Sequence, residues 1–197
     1  EPKPALESLR ELLAASRIDL PQELPPIAAG VIGYMGYDTI RLIERLPNQN
    51  PDALGVPDGV FVRPTLMVVF DAVKDEMIVV TPVRPNPGID AQTAYDHALE
   101  RLRSVVHALD EPLPHATAMA GAHLALPDPV SNTSPREFMT MAERAKEYIA
   151  AGDIFQVVLS QRFSVPFSLP PLALYRALRR TNPSPFLFHL DFGGFAL

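Results

Sequence analysis

Residues 134–163, SPREFMTMAERAKEYIAAGDIFQVVLSQRF, constrain the backbone more than any other stretch of the chain. Ser134, Pro135 and Glu137 write a capping box with proline at the first helical position, a strong helix start. Phe138, Met141, Ala145, Tyr148 and Ile149 then recur at helical spacing and make one apolar face. Gly152 can take the left-handed conformation that closes a helix, and Asp153 turns the chain onward. Beyond it the pattern predicts a strand, with Phe155, Val157, Leu159 and Phe163 toward a core and Gln156, Val158, Ser160 and Arg162 on the other face. That second face lines a site for a polar ligand, or is the wet side of a half-buried strand.

The rest of the chain alternates short regular segments with proline punctuation. Leu6, Leu9 and Leu13 give one apolar stripe and predict a helix over 5–16, after which Pro21, Pro25 and Pro26 exclude helix. In AAGVIGYMGYD the glycines 30, 33 and 36 fit neither a dinucleotide fingerprint nor a phosphate loop, and predict a strand with close backbone approaches. Asp38 is a candidate cap for a short helix running to Leu46 and ended by Pro47; 48–59 is a loop by composition. Val60–Asp71 and Met77–Pro82 predict a hairpin across AVKDE, with Pro64 at an edge or bulge. A long amphipathic helix follows over 91–109, carried by Tyr95, Leu99, Leu102, Val106 and Leu109. Residues 110–133, with four prolines and little periodicity, predict a linker between an N-terminal α+β lobe (1–109) and a second region (134–197). A further helix ends near Arg176, Arg179 and Arg180, whose charges complement its dipole, and NPSPFLFHLDFGG leads into a last strand. The closing run FGGFAL reads as a strand still in progress, and the start at Glu1 without methionine points the same way, to a piece of a longer protein.

Charge and composition narrow the function classes. At 197 residues and 47% hydrophobic the chain is globular, and its net charge of -6 argues against a nucleic-acid partner. It has no cysteine, hence no disulfide or thiolate metal site, and no apolar run long enough for a membrane helix; cytoplasm is the expected compartment. The five histidines, His97, His107, His115, His123 and His189, have no metal-binding spacing, and no carboxylate pair suggests acid/base hydrolysis. His189, alternating with Phe188 and Leu190, is the one to watch.

AGDIFQVVLSQRF, followed by NPSPF at 182–186 and preceded by AAGVIGYMGYD and LGVPDGVFVRPTLMVVFD, resembles the chorismate-utilising enzymes, and within them the anthranilate synthase branch. The resemblance covers most of the chain and implies an α+β fold: a layered sandwich of antiparallel sheets with helices, of which these residues supply the N-terminal part. It implies chorismate as substrate, Mg2+ held by glutamates outside this chain, no catalytic or metal-binding residue within it, and ammonia from a glutamine amidotransferase subunit. Where isochorismate- and salicylate-forming relatives carry a water-activating lysine, this sequence has Gln156, which cannot act as a base and would line the pocket of an ammonia-using enzyme. The motif NPSPYM, part of the tryptophan feedback site in anthranilate synthases, reads here Asn182, Pro183, Ser184, Pro185, Phe186 and Leu187. An aromatic face survives without the tyrosine hydroxyl. The partner LLES-like segment is not in this sequence. Alternatives within the resemblance are aminodeoxychorismate synthase component I, whose APF is similar to the SPF here, and a non-catalytic regulatory or partner-binding fragment. If the last strand normally continues into a sandwich, its edge with Phe186, Phe188, Leu190 and Phe192 would drive self-association or leave the chain partly unfolded.

Overall fold

The computed structural model describes residues 3–47, 50–112 and 127–197. The chain divides into two compact units, Glu1–His115 and Ala116–Leu197. Most of the expected linker, 113–126, lies outside the described residues. The architecture is α+β: four helices and, among the described residues, three separate two-stranded antiparallel ladders.

The first unit opens with α1, Ala5–Ser16, the helix that the leucine stripe predicts. Its last residue, Ser16, is buried, and its hydroxyl donates to the Leu12 carbonyl at 2.6 Å. After the proline-rich turn, β1 (Ile32–Met35) pairs with β2 (Gly59–Val62), with Gly33 opposite Phe61. A Cβ on Gly33 would stand 1.9 Å from the Val60 carbonyl oxygen, so only hydrogen fits there. At Gly36 the same atom would meet the Asp58 oxygen at 2.9 Å, to which the Gly36 N–H already donates at 2.6 Å. The close approaches expected of the glycine run are therefore made at these two positions.

Two expectations in this unit need correction. Asp38 is not a helix cap: Gly36 holds that position, the helical turn is a short 3-10 segment, Tyr37–Leu42, and Asp38 instead accepts from Arg41 Nε at 2.7 Å. Arg41 Nη1 also donates to the carbonyls of Leu46 and Pro47, which ties down the stretch expected to be helical. The run from Val60 to Asp71 is not one strand. Pro64, with no N–H, splits it, so that Gly59–Val62 pairs backward with β1 while β3 (Met67–Asp71) pairs forward with β4 (Glu76–Val80). The β3–β4 turn is held by the Asp71 carboxylate, which accepts from the N–H groups of Lys74 and Val73; these bonds keep its pKa below the usual carboxylate value. Asp75 takes the positive φ of 56° that closes the turn. Helix α2, Ala91–Asp110, begins at Asp90, whose side chain accepts from the Thr93 N–H at 2.8 Å, and it packs on β4.

In the second unit a short strand β5, Val130–Ser131, precedes α3, Pro135–Ala151. Ser134 Oγ accepts from the Glu137 N–H, and Glu137 returns the bond from the Ser134 N–H at 2.8 Å, so the capping box forms as predicted. Its hydrogen bonds to the Ser134 side chain and backbone hold Glu137 below its ordinary pKa. Gly152 closes the helix at φ 81°, and the Asp153 N–H reaches back to the Tyr148 carbonyl at 3.0 Å. The chain then runs extended to β6, Phe163–Ser164, which pairs with β5. Helix α4, Pro171–Thr181, follows, and the C-terminal run folds back on itself: Leu190 and Leu197 exchange two backbone bonds at 2.9 Å around Gly193 and Gly194.

Among the described residues the buried apolar side chains are Ala28 and Ala98, both in the first unit. Backbone geometry therefore carries much of the specificity, and Gly33 is its tightest point. Gly33→Ala is expected to lower unfolding stability by about 2 kcal/mol in urea titrations, since the Val60 backbone has to move. Gly30→Ala, where the nearest atom to the new Cβ is 3.9 Å away, serves as the control and should change little.

Candidate functional site

The second unit holds the residues singled out from sequence. The extended segment between Gly152 and Phe163 is not the strand that alternation predicts: it has no ladder partner among the described residues before Phe163. A strand is defined by the neighbour that takes its N–H and C=O groups, and hydrophobic alternation cannot supply one. The expected core face is correspondingly open. Phe155 is 95% exposed, Val157 and Phe163 are exposed, and Leu159 is half-buried.

Ile154, Val157 and Leu159 instead line one wall of an open groove of about 400 Å3 whose other wall is α3, through Met141, Ala145 and Tyr148. Arg144 lies at its rim, over the Tyr148 ring at 4.6 Å and paired with Glu147, whose hydrogen bond raises the Arg144 pKa. Gln156 sits between the groove-lining residues, exposed, and makes no hydrogen bond among the described residues. Ser160 is exposed, while Arg162 is half-buried and held by its backbone.

That backbone clamp was not anticipated. The Asn132 side chain accepts from the Arg162 N–H at 2.8 Å, and the Asn132 N–H donates to the Arg162 carbonyl at 3.0 Å. Ser131 Oγ adds contacts to the Thr133 carbonyl at 2.8 Å and to Gln161 Oε1 at 3.2 Å. Asn132 falls within the stretch read as linker; a carboxamide beside a short Val-Ser run is too weak a signal to predict a clamp to a residue thirty positions on.

Asn182–Leu187 forms a turn, not the start of a strand. The Asn182 N–H closes α4 on the Leu178 carbonyl at 2.8 Å, Pro185 occupies the first corner, and the Leu187 N–H reaches the Ser184 carbonyl at 3.4 Å. Ser184 Oγ accepts from the Phe186 N–H at 3.4 Å. The turn throws Phe186 outward, 86% exposed, with Phe188 also exposed and Leu187 half-buried. The expected last strand is likewise replaced by the Gly193–Gly194 reversal, a two-residue Gly-Gly signal that sequence alone displays. His189 stacks on Tyr175 of α4 with ring centroids 5.8 Å apart. His115 and His123 lie outside the described residues.

Among the described residues no three histidine or carboxylate side chains come together in a group that could hold a metal ion. No helix there is long and apolar enough to cross a membrane.

A helix capped at both ends, an extended segment bearing Gln156 and a proline turn bearing Phe186 make up one part of a chorismate-binding fold. The sequence model for chorismate binding enzyme matches residues 2–197, and the chain belongs to that family. It is 51% identical over 190 residues to anthranilate synthase component 1 of Cereibacter sphaeroides, covering 96% of this chain and 38% of that protein. To the Thermus thermophilus protein of the same name it is 42% identical over 172 residues, 87% of this chain and 35% of the other. The crystal structure of anthranilate synthase component I from Streptococcus pneumoniae superposes with a TM-score of 0.80 at 32% identity, over 97% of this chain and 42% of that one. The chain thus spans well under half the length of these relatives.

The clamp at Asn132 restrains the backbone at the far end of the Gln156 segment. In Asn132→Ala the Arg162 amide should exchange with deuterium roughly tenfold faster than in wild type, reflecting one lost hydrogen bond. The α3 amides serve as the internal reference and should be unchanged.

Proposed function

We propose that this chain works as part of an anthranilate synthase component I, which converts chorismate and ammonia to anthranilate and pyruvate in tryptophan biosynthesis. The observation that carries this reading is the 51% identity to a protein of that name along 96% of the chain. We further propose that the two-stranded ladders belong, in a longer enzyme, to a layered sandwich, and that Mg2+ and the acid/base groups come from residues outside this sequence. Mg2+ would supply charge neutralisation at the substrate carboxylate; no step of it is assigned to a residue of this chain.

Gln156 is read as a pocket-lining group. A carboxamide cannot take a proton at physiological pH but can donate and accept hydrogen bonds, which suits a site whose nucleophile is ammonia and not activated water. Its lack of a partner among the described residues leaves both functions free for a ligand. The turn Asn182–Leu187 is read as one wall of a tryptophan inhibitor site, with the outward Phe186 ring offering its face to an indole. Ammonia would come from a glutamine amidotransferase subunit, and the enzyme would work in the cytoplasm.

A chimera tests the assignment: the matching segment of the Cereibacter sphaeroides protein is replaced by this chain. With chorismate, Mg2+ and ammonium, the chimera should produce anthranilate fluorescence, and this chain alone should produce none. A folded, inactive chimera, or activity of the chain alone, would refute the reading. Gln156→Ala in the active chimera is expected to lower kcat by about tenfold, the scale of a lost positioning contact, without changing its melting temperature.

Phe155, Phe163, Phe186 and Phe188, all largely exposed, also lead us to propose that the 197-residue chain self-associates when alone. Burial of about 400 Å2 of that surface would contribute on the order of 10 kcal/mol for each chain before association costs offset much of it. Sedimentation should give a mass above 21.6 kDa at micromolar concentration; a compact monomer would count against it.

A further inference from the structure

The pairing of β5 with β6 decides which backbone groups of the Gln156 segment are left over. Asn132 and Arg162 face each other as a bonded pair: the Asn132 N–H donates to the Arg162 carbonyl at 3.0 Å, and the Arg162 N–H donates to the Asn132 side chain at 2.8 Å. Along a strand, successive residues turn their N–H and C=O groups to opposite edges. Arg162 therefore points at β5, while Gln161 and Phe163 turn their backbone groups away from it. Side chains keep the same alternation here, since Gln161 Oε1 accepts from Ser131 Oγ at 3.2 Å on the face that Ser131 shares with Phe163. Carried back along the extended segment, the alternation turns the N–H and C=O groups of Phe155, Val157 and Leu159 to the same outer edge as those of Gln161 and Phe163. That edge has no ladder partner among the described residues.

The segment is complementary to itself when a second copy runs antiparallel about Leu159. Phe155 then stands opposite Phe163 of the copy, Leu159 opposite its own equivalent, Val157 opposite Gln161, Gln156 opposite Arg162 and Val158 opposite Ser160. Phe155 and Phe163 are exposed, and an aromatic cross-strand pair is a favourable one. Gln156 makes no hydrogen bond and Arg162 no salt bridge among the described residues, and a carboxamide oxygen accepts from a guanidinium. Moving the axis to Val158 or Val157 sets Arg162 against Ile154 or Gly152 and parts the two phenylalanines. Four phenylalanine rings at roughly 150 Å2 each supply about half of the ~1,200 Å2 that a stable interface buries, and the paired backbone of 155–163 adds to it.

We propose that two copies of this chain pair antiparallel along residues 155–163 about Leu159, joining their β5–β6 ladders into one four-stranded sheet. The inference rests on the self-association reading and supplies its contact.

The test uses the lack of cysteine in this chain. Val158 and Ser160 are both exposed, and across the outer edge they form a non-hydrogen-bonded pair, the closer of the two kinds and within reach of a disulfide. Val158→Cys is mixed with Ser160→Cys carrying a tag that separates the two by mass, and the mixture is mildly oxidised. The mixed disulfide should exceed the self-linked product of either variant by roughly tenfold. Arg162→Ala, which keeps the backbone clamp to Asn132, should raise the dimer dissociation constant in sedimentation by about tenfold, one contact being lost on each side of the axis. A dimer in which the mixed disulfide does not form, or forms no better than the self-linked ones, overturns this pairing and leaves self-association through another surface standing. A monomer overturns both. An unchanged dissociation constant in folded Arg162→Ala overturns the register about Leu159.

Discussion

A two-stranded ladder satisfies one edge of each strand and leaves the other to solvent, and each ladder described here stops at two strands. Much of what is unusual about these units follows from that. With no third strand or covering sheet, aromatic side chains that alternate toward an interior find none, and Phe155, Phe186 and Phe188 face outward. Order is instead maintained by local devices that need no core: the reciprocal Ser134–Glu137 box, the left-handed Gly152, the Asp71 turn and the Asn132 clamp. Each fixes a few dihedrals at a cost a short sequence can meet.

The same constraint bears on chemistry. A site for a small polar substrate needs convergent groups in a shaped, partly dry cavity. The second unit holds, among the described residues, Gln156 with no hydrogen bond, an apolar groove against α3 and a proline turn presenting a ring. Among the described residues no group of three histidine or carboxylate side chains forms.

Some of this could be read directly from residues. The start and end of α3, the helix at 5–16, the long α2 and the crowded glycines are legible because each is decided within a few residues, by a side chain reaching its own backbone, by a repeating apolar stripe or by a missing Cβ. Family membership was legible as well, from IFQVVLSQRF and NPSPF in order. The Gly-Gly reversal was written in the sequence too, and apolar neighbours masked it as strand.

What only the tertiary structure decided is partnership. Alternation in 155–163 states which side chains share a face but not whether another strand will lie beside it, and Gln156 and Phe155 took their surroundings from that outcome. Val60 carried β propensity toward either neighbour, and the choice of β1 came from the close approach that Gly33 permits. Asn132 meeting Arg162 joins residues far apart in sequence. Local sequence fixes dihedral angles one residue at a time, whereas pairing and the company of a charge depend on where distant segments come to rest.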